Sequence, residues 1–146
     1  MIKRDFLSLL DFSSDELKYV IERAKTLRKQ HENGEVYQPL VGKTGALILT
    51  MSSTRTRVAF EAGFAQMGAK VIFLSPGDTQ IGRGEPLEDL ARVLSEMVDI
   101  IMISTACQQD NVTLAHYATV PVIKALSSLL HPCLLLANIQ AFVVHR

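Results

Sequence analysis

The chain has no excess charge of either sign: Lys and Arg number 15, Asp and Glu number 15, in 146 residues. No basic block interrupts that balance and aromatics make up only 6% of the residues. A nucleic-acid surface and an acidic tail are therefore not expected, and any ligand should be small. Cysteine is scarce as well. Cys107 and Cys133 are the two present, far apart and in apolar or turn contexts, which argues against a disulfide framework and for a reducing compartment, with the cytoplasm as the expectation. No apolar run is long enough to span a membrane. The opening Met1-Ile2-Lys3-Arg4-Asp5 leads into no long apolar segment ending at a small-residue cleavage site, so no signal peptide is expected. Neither Gly-x-Gly-x-x-Gly nor Gly-x-x-x-x-Gly-Lys-Ser/Thr occurs in a suitable frame, which removes dinucleotides and nucleoside triphosphates from consideration. His116, beside Tyr117, and the terminal His145 lack metal-ligand spacing with a Cys or carboxylate, and no metal is expected.

The length suits one domain with a substantial core, and the whole of 1–146 reads as that single domain. Ser13 followed by Glu16 makes a capping box, after which Leu17, Val20, Ile21, Ala24 and Leu27 recur at helical spacing up to Gly34, an amphipathic helix. From Gly45 the pattern changes to short apolar runs at Ala46 to Leu49, Val71 to Leu74, Ile100 to Ile103 and Val120 to Ile123, separated by helix-like stretches. The runs are continuous rather than alternating, as in strands buried on both faces. The expected fold is α/β: a parallel sheet of about four strands with helices on both faces, plus the amino-terminal amphipathic helix.

In such sheets ligands bind beyond the carboxyl ends of the strands, which directs attention to four loops. After the first run comes Ser53-Thr54-Arg55-Thr56-Arg57, directly before a helix-like stretch, Val58 to Met67. The first N–H groups of a helix lack intrahelical acceptors and carry partial positive charge, so hydroxyls and guanidiniums gathered there describe an anion cradle. A plain cap by Ser53 or Thr54 is the alternative. Arg57 stands four residues before Glu61 and reads as structural, paired to it on one helix face. The second loop, with glycines at 77, 82 and 84 and with Gln80 and Arg83 as donors, could approach an anion. It also reads as an ordinary connection, with Pro86 in the first helical turn and Glu88 and Asp89 favouring the dipole. Ser104-Thr105 and His131-Pro132-Cys133 complete the rim, His131 opening a last helix from Cys133 to Val144. That helix is apolar around most of its circumference and is expected to be buried, against this domain or another copy of the chain; left uncovered, it would be an aggregation liability.

Taken together, Ser53-Thr54-Arg55-Thr56-Arg57, Phe60-Glu61, Phe73-Leu74-Ser75-Pro76, Asp78 through Pro86, Asp89, Ala91-Arg92-Val93-Leu94 and His131-Pro132-Cys133 resemble the amino-terminal, carbamoyl-phosphate-binding half of the ornithine carbamoyltransferases. The resemblance runs from Asp5 to about Asn138. It implies transfer of a carbamoyl group from carbamoyl phosphate to the δ-amine of ornithine, giving citrulline and phosphate, without a cofactor. It implies that Ser53, Thr54, Arg55 and Thr56 hold the phosphate, with Arg55 and His131 as the catalytic pair and His131 donating to the carbamoyl oxygen. Gln80 would lie in a loop reaching a neighbouring subunit's site, hence a homotrimer. Three departures are expected to weaken the site: Ser104 replaces an arginine, Leu134 a glutamine, and Lys124-Ala125 with Ser127-Ser128 an Asn-Gly and Thr-Asp-like stretch. The ornithine-binding half, with its Ser-Met-Gly and His-Cys-Leu-Pro motifs, is absent, so complete transferase activity is not expected of this chain alone. Two other readings stay open: a catalytically silent or engineered scaffold or oligomerisation domain derived from the family, and a generic phosphate or sulfate binder.

Overall fold

The computed structural model describes residues 3–77, 79–128 and 131–144. Asp78 and His145, both singled out in the sequence, lie outside them, as do the side chains of Ile81, Gly82 and Val144. The chain runs α1 (Ser14–Glu32), β1 (Thr44–Leu49), α2 (Thr54–Gln66), β2 (Lys70–Leu74), α3 (Leu87–Ser95), β3 (Ile100–Ser104), α4 (Gln108–Tyr117), β4 (Val122–Leu126) and α5 (Pro132–Val144). The four strands are all parallel in the order β2-β1-β3-β4, as the alternation of runs predicted.

Local signals account for the element ends. The Ser13 hydroxyl accepts from the Glu16 N–H while the Glu16 carboxylate accepts from the Ser13 N–H at 2.8 Å, closing the capping box. Gly34 beyond the helix adopts φ 75°, a conformation that suits glycine. Pro86 is the N-cap of α3 rather than a residue of its first turn, and Glu88 and Asp89 occupy that turn. The fourth strand is displaced from its expected position at Val120 to Ile123: it starts at Val122, after Pro121, and runs through Lys124 to Leu126. Apolarity alone hid Lys124 from the strand, yet its backbone N–H donates to the Phe6 carbonyl at 2.8 Å.

Each face of the sheet has its own core. Leu47, Leu49, Met102 and Ala125 pack with Phe60, Val71 and Phe73 on the α2 side. Ala46, Ile48, Ile101, Ile103 and Val122 pack with Leu90 and Ala91 of α3 and Leu114 and Ala115 of α4 on the other. Burial on both faces holds for β1 and β3. It does not hold for β2, where Lys70 and Ile72 are exposed because the strand order puts β2 at an edge. The opposite edge is covered by the amino-terminal segment: Phe6 bridges Ile123, and the Asp5 carboxylate accepts from the Val122 N–H at 2.8 Å. An edge occupied in this way is closed to pairing with another chain.

This domain by itself does not bury the last helix. α5 packs against β4 and α1, but Leu134 is 51% exposed and Phe142 61%. Apolar residues on all sides cannot all face one sheet and one helix, so the outward ones remain in solvent. α1 likewise lies on the surface, with no fully buried residue.

Two outcomes follow from these contacts. A methyl group on Gly45 would come within 2.7 Å of the ring of Phe64, which is buried between α2 and β1. Gly45→Ala is expected to lower unfolding free energy by about 1–3 kcal/mol, read as a reduced urea midpoint at unchanged slope. The Arg4 guanidinium, 2.6 Å from Glu16, together with the Ser13 N–H, pushes the Glu16 carboxyl down to about 2. Its contribution is complete above the ordinary carboxylate range and is lost as pH falls towards 2. NMR titration should place the Glu16 midpoint there, and Arg4→Ala should return it towards the ordinary range.

Candidate anion site at the carboxyl rim

Strand order locates the site. From β1 the chain moves outward to β2 and then returns past β1 to β3 and β4, so order reverses between β1 and β3. The segments after these two strands diverge to opposite faces, α2 on one and α4 on the other. Crevices at such reversals are where α/β sheets bind ligands. Thr50 leaves β1 with its N–H donating to the Ser104 carbonyl at 3.0 Å, which holds the two strand ends together at the base of the crevice.

Ser53 caps α2 in an extended conformation, φ −148° and ψ 97°. Its hydroxyl accepts from the Thr56 N–H at 3.4 Å and lies 2.9 Å from the Thr56 hydroxyl. Its carbonyl accepts from the Arg57 N–H at 3.0 Å. Capping thus engages Thr56 and Arg57, while the N–H groups of Thr54 and Arg55 have no acceptor among the described residues, as the first positions of a helix require. The cap is therefore present, and it leaves open the two N–H groups that an anion cradle would use. A cleft of about 390 Å³ opens beside it, lined by Thr50, Ser52, Ser53, Thr54, Ser75 and Pro76 among others.

The two arginines differ. Arg57 pairs with Glu61 at 3.0 Å, as its spacing predicted, and its guanidinium lies 3.7 Å from the centroid of the Phe73 ring. Arg55 is exposed and forms no ion pair with any described residue. It is the guanidinium still available to an anion. Gln80 is also exposed, in a 3-10 turn over Gln80–Arg83 that ends at Gly84 with φ 87°. That turn follows the edge strand β2. His131, half-buried, precedes α5 beyond β4, and its carbonyl accepts from the Leu135 N–H at 3.0 Å. Cys133 fastens this corner: its thiol lies 3.4 Å from the Lys124 carbonyl, and burial pushes it up to about 11. The rim thus brings Ser53, Thr54, Arg55 and Thr56 together at the reversal and sets Gln80 and His131 at opposite ends of the strand order.

Sequence reasoning singled out Ser104, Thr105, Lys124 and Ser127 but missed the polar network they form with Asn111 and Gln108 at the ends of β3 and β4. Ser104, Thr105, Asn111, Lys124 and Ser127 are all buried. Asn111 donates to the Thr105 hydroxyl at 3.2 Å and the Cys107 carbonyl at 3.0 Å. Gln108, first residue of α4, accepts through Oε1 from both the Lys124 ammonium and the Ser127 hydroxyl, the latter at 2.9 Å. The β3–β4 register shifts between Ile103 and Ser104: Ile103 faces Lys124 and Ser104 faces Leu126, leaving Ala125 as an extra residue. Such bulges redirect side chains beside sites. The Ser104 hydroxyl and the Asn111 carbonyl oxygen are buried without a partner among the described residues. The available signal was a lysine inside an apolar run, Val122-Ile123-Lys124-Ala125-Leu126. Among the described residues no group of three or more His, Cys, Asp or Glu could hold a metal ion, and no helix is long and apolar enough to cross a membrane.

Known proteins match this chain along nearly its whole length. The sequence profile of the aspartate/ornithine carbamoyltransferase carbamoyl-phosphate-binding domain matches residues 4–143. An ornithine carbamoyltransferase of Psychrobacter arcticus is 55% identical over all 146 residues, which cover 48% of that relative. The chain spans about half the length of the curated relatives it matches. Among solved structures, the ornithine carbamoyltransferase of Burkholderia thailandensis superposes with a TM-score of 0.93 at 48% identity, covering 98% of this chain and 49% of the other. The Pyrococcus furiosus enzyme does so with a TM-score of 0.90 at 43% identity, covering 94% and 44%. With the reversal, the open start of α2 and these matches in agreement, the chain belongs to the aspartate/ornithine carbamoyltransferase family and corresponds to its carbamoyl-phosphate-binding domain.

Proposed function

We propose that this chain binds carbamoyl phosphate at the start of α2 and serves as the carbamoyl-phosphate half of an ornithine carbamoyltransferase. The observation that carries the reading is the pair of open N–H groups, on Thr54 and Arg55, at a helix start beside the β1/β3 reversal. The Thr54 and Arg55 amides, the Ser53, Thr54 and Thr56 hydroxyls and the Arg55 guanidinium would hold the phosphate. His131 would reach from the β4 end to donate to the carbamoyl oxygen, which gains charge as an amine attacks the carbonyl carbon and phosphate departs. In this reading the site contributes position and electrostatic stabilisation, and no cofactor takes part. The amine, ornithine in the resembling family, would be bound by a second half, and citrulline formation would depend on it. Gln80 would serve a neighbouring subunit in a trimer. A cytoplasmic role in arginine biosynthesis goes with the same reading.

Two features favour a weakened site. Ser104 supplies a short buried hydroxyl at the base of the crevice, where the resemblance implies an arginine. Leu134 is half-exposed on α5 and offers no hydrogen bond to a carbamoyl amide. The exposed apolar residues of α5 also favour a second reading, a silent scaffold whose role is association of chains.

Titration calorimetry with carbamoyl phosphate, beside light scattering for mass, tests these readings. Saturable binding is expected, weakened roughly ten- to a hundred-fold by Arg55→Ala, the scale of a hydrogen bond to a charged group. Ser104→Arg should tighten binding by a similar factor. A folded protein that ignores carbamoyl phosphate, or an Arg55→Ala variant that binds as well as the parent, would overturn the proposal; association without anion binding would favour the scaffold.

A further inference from the structure

Lys124 is the one lysine among the largest fully buried side chains, at 0% exposure. Its ammonium donates to the neutral Gln108 Oε1, and no carboxylate forms an ion pair with it among the described residues. Taking a cation out of water without a counter-charge is costly. The surrounding elements offer little relief. β3 contributes the apolar Ile103 and α4 the amide of Gln108, while the Cys133 thiol of α5 meets only the Lys124 backbone carbonyl. In the amino-terminal segment Asp5 is engaged with Lys3, and Asp11, whose charge favours the ammonium, already accepts from the N–H groups of Leu7 and Ser8. Burial outweighs Asp11 and moves the Lys124 amine below its ordinary range.

The position of this charge matters as much as its isolation. Gln108 begins α4 on the same rim as the start of α2, and β3 alone separates β4 from β1. Two strand spacings amount to about 10 Å between the β4 and β1 backbones, and the Lys124 side chain, which shares the Val122 face with Gln108 while α2 packs on the other, lies further than that from the α2 start. Between those strands lies Ser104, whose buried hydroxyl has no partner among the described residues. Across a sheet, through protein rather than salt solution, two charges still interact at somewhat more than two strand spacings.

We propose that Lys124 is a positioning charge for the anion held at the start of α2: it does not touch the anion, and the bound anion supplies across β3 the counter-charge that the protein withholds. Binding and protonation of Lys124 are then linked, so that the anion binds the ammonium form of the protein more tightly and draws a proton onto the amine. The inference rests on the cradle reading of α2.

Sulfate is the probe, because its own charge is constant from pH 7.5 to 10. Calorimetric titrations of the 146-residue chain in buffers of different ionisation enthalpy should register fractional proton uptake per sulfate and an affinity that falls roughly five- to tenfold across that range. Lys124→Met, checked by thermal melting to be folded, should bind roughly five- to tenfold more weakly at pH 7.5, with no proton uptake and a flat profile. Gln108→Glu, which gives Lys124 an internal counter-ion, should shift both readouts the same way. Sulfate binding that is lost in Arg55→Ala but unchanged in affinity and proton uptake in Lys124→Met overturns the coupling and leaves the cradle standing. Absence of sulfate binding by the parent at every pH overturns both.

Discussion

The rest of the molecule depends on β1 being hydrogen-bonded along both edges, to β2 on one side and β3 on the other. A central strand next to which chain order reverses must send its following segment to one face and its neighbour's to the opposite face. Here α2 and α4 take those two faces. Their starts cannot cover one another, and the crevice between them stays open. The bond from the Thr50 N–H to the Ser104 carbonyl, 3.0 Å long, marks the last point at which the two backbones run together. Packing fixes the remaining freedom: Gly45 lets the Phe64 ring lie directly on β1, so α2 sits close to the sheet and its first turn meets the rim.

Against that frame the polar interior has a clear cost structure. Buried polar groups are tolerated when hydrogen-bonded. The Thr105–Asn111–Cys107 and Lys124–Gln108–Ser127 contacts meet most of the demand at the ends of β3 and β4. Among the described residues, the Ser104 hydroxyl and the Asn111 carbonyl oxygen remain without a partner there, as does Gln30 Oε1 on α1, and the Lys124 charge has only a neutral partner. Unpaired buried groups of this kind are costly in a low-dielectric interior. The bulge at Ala125 lies in the same place, between a strand segment with regular register and a loop that leads to His131.

Much of this was legible in the residues. The capping box at Ser13, the alternation of apolar runs with helix-like stretches and the Arg57–Glu61 spacing each rest on interactions within a few residues, and each appears as expected. The cap at Ser53, one of two expected there, is equally local, although α2 begins at Thr54, ahead of the expected Val58. The elements that departed from expectation are those governed by long-range neighbours. β4 extends through Lys124 because β3 and Phe6 supply its hydrogen bonds. β2 exposes Ile72 because it is an edge. α5 leaves apolar residues in solvent because β4 and α1 cover only part of its circumference.

The sequence by itself determined the fold class and the capped start of α2 with its unpaired amide groups, since caps and periodicity are consequences of covalent order. Only the tertiary structure decided which rim loops meet, that Arg57 is occupied by Glu61 and Phe73 while Arg55 is not, and that Lys124 lies dry beneath the rim. Those outcomes depend on strand order and burial, and both arise from contacts between residues that the chain keeps far apart.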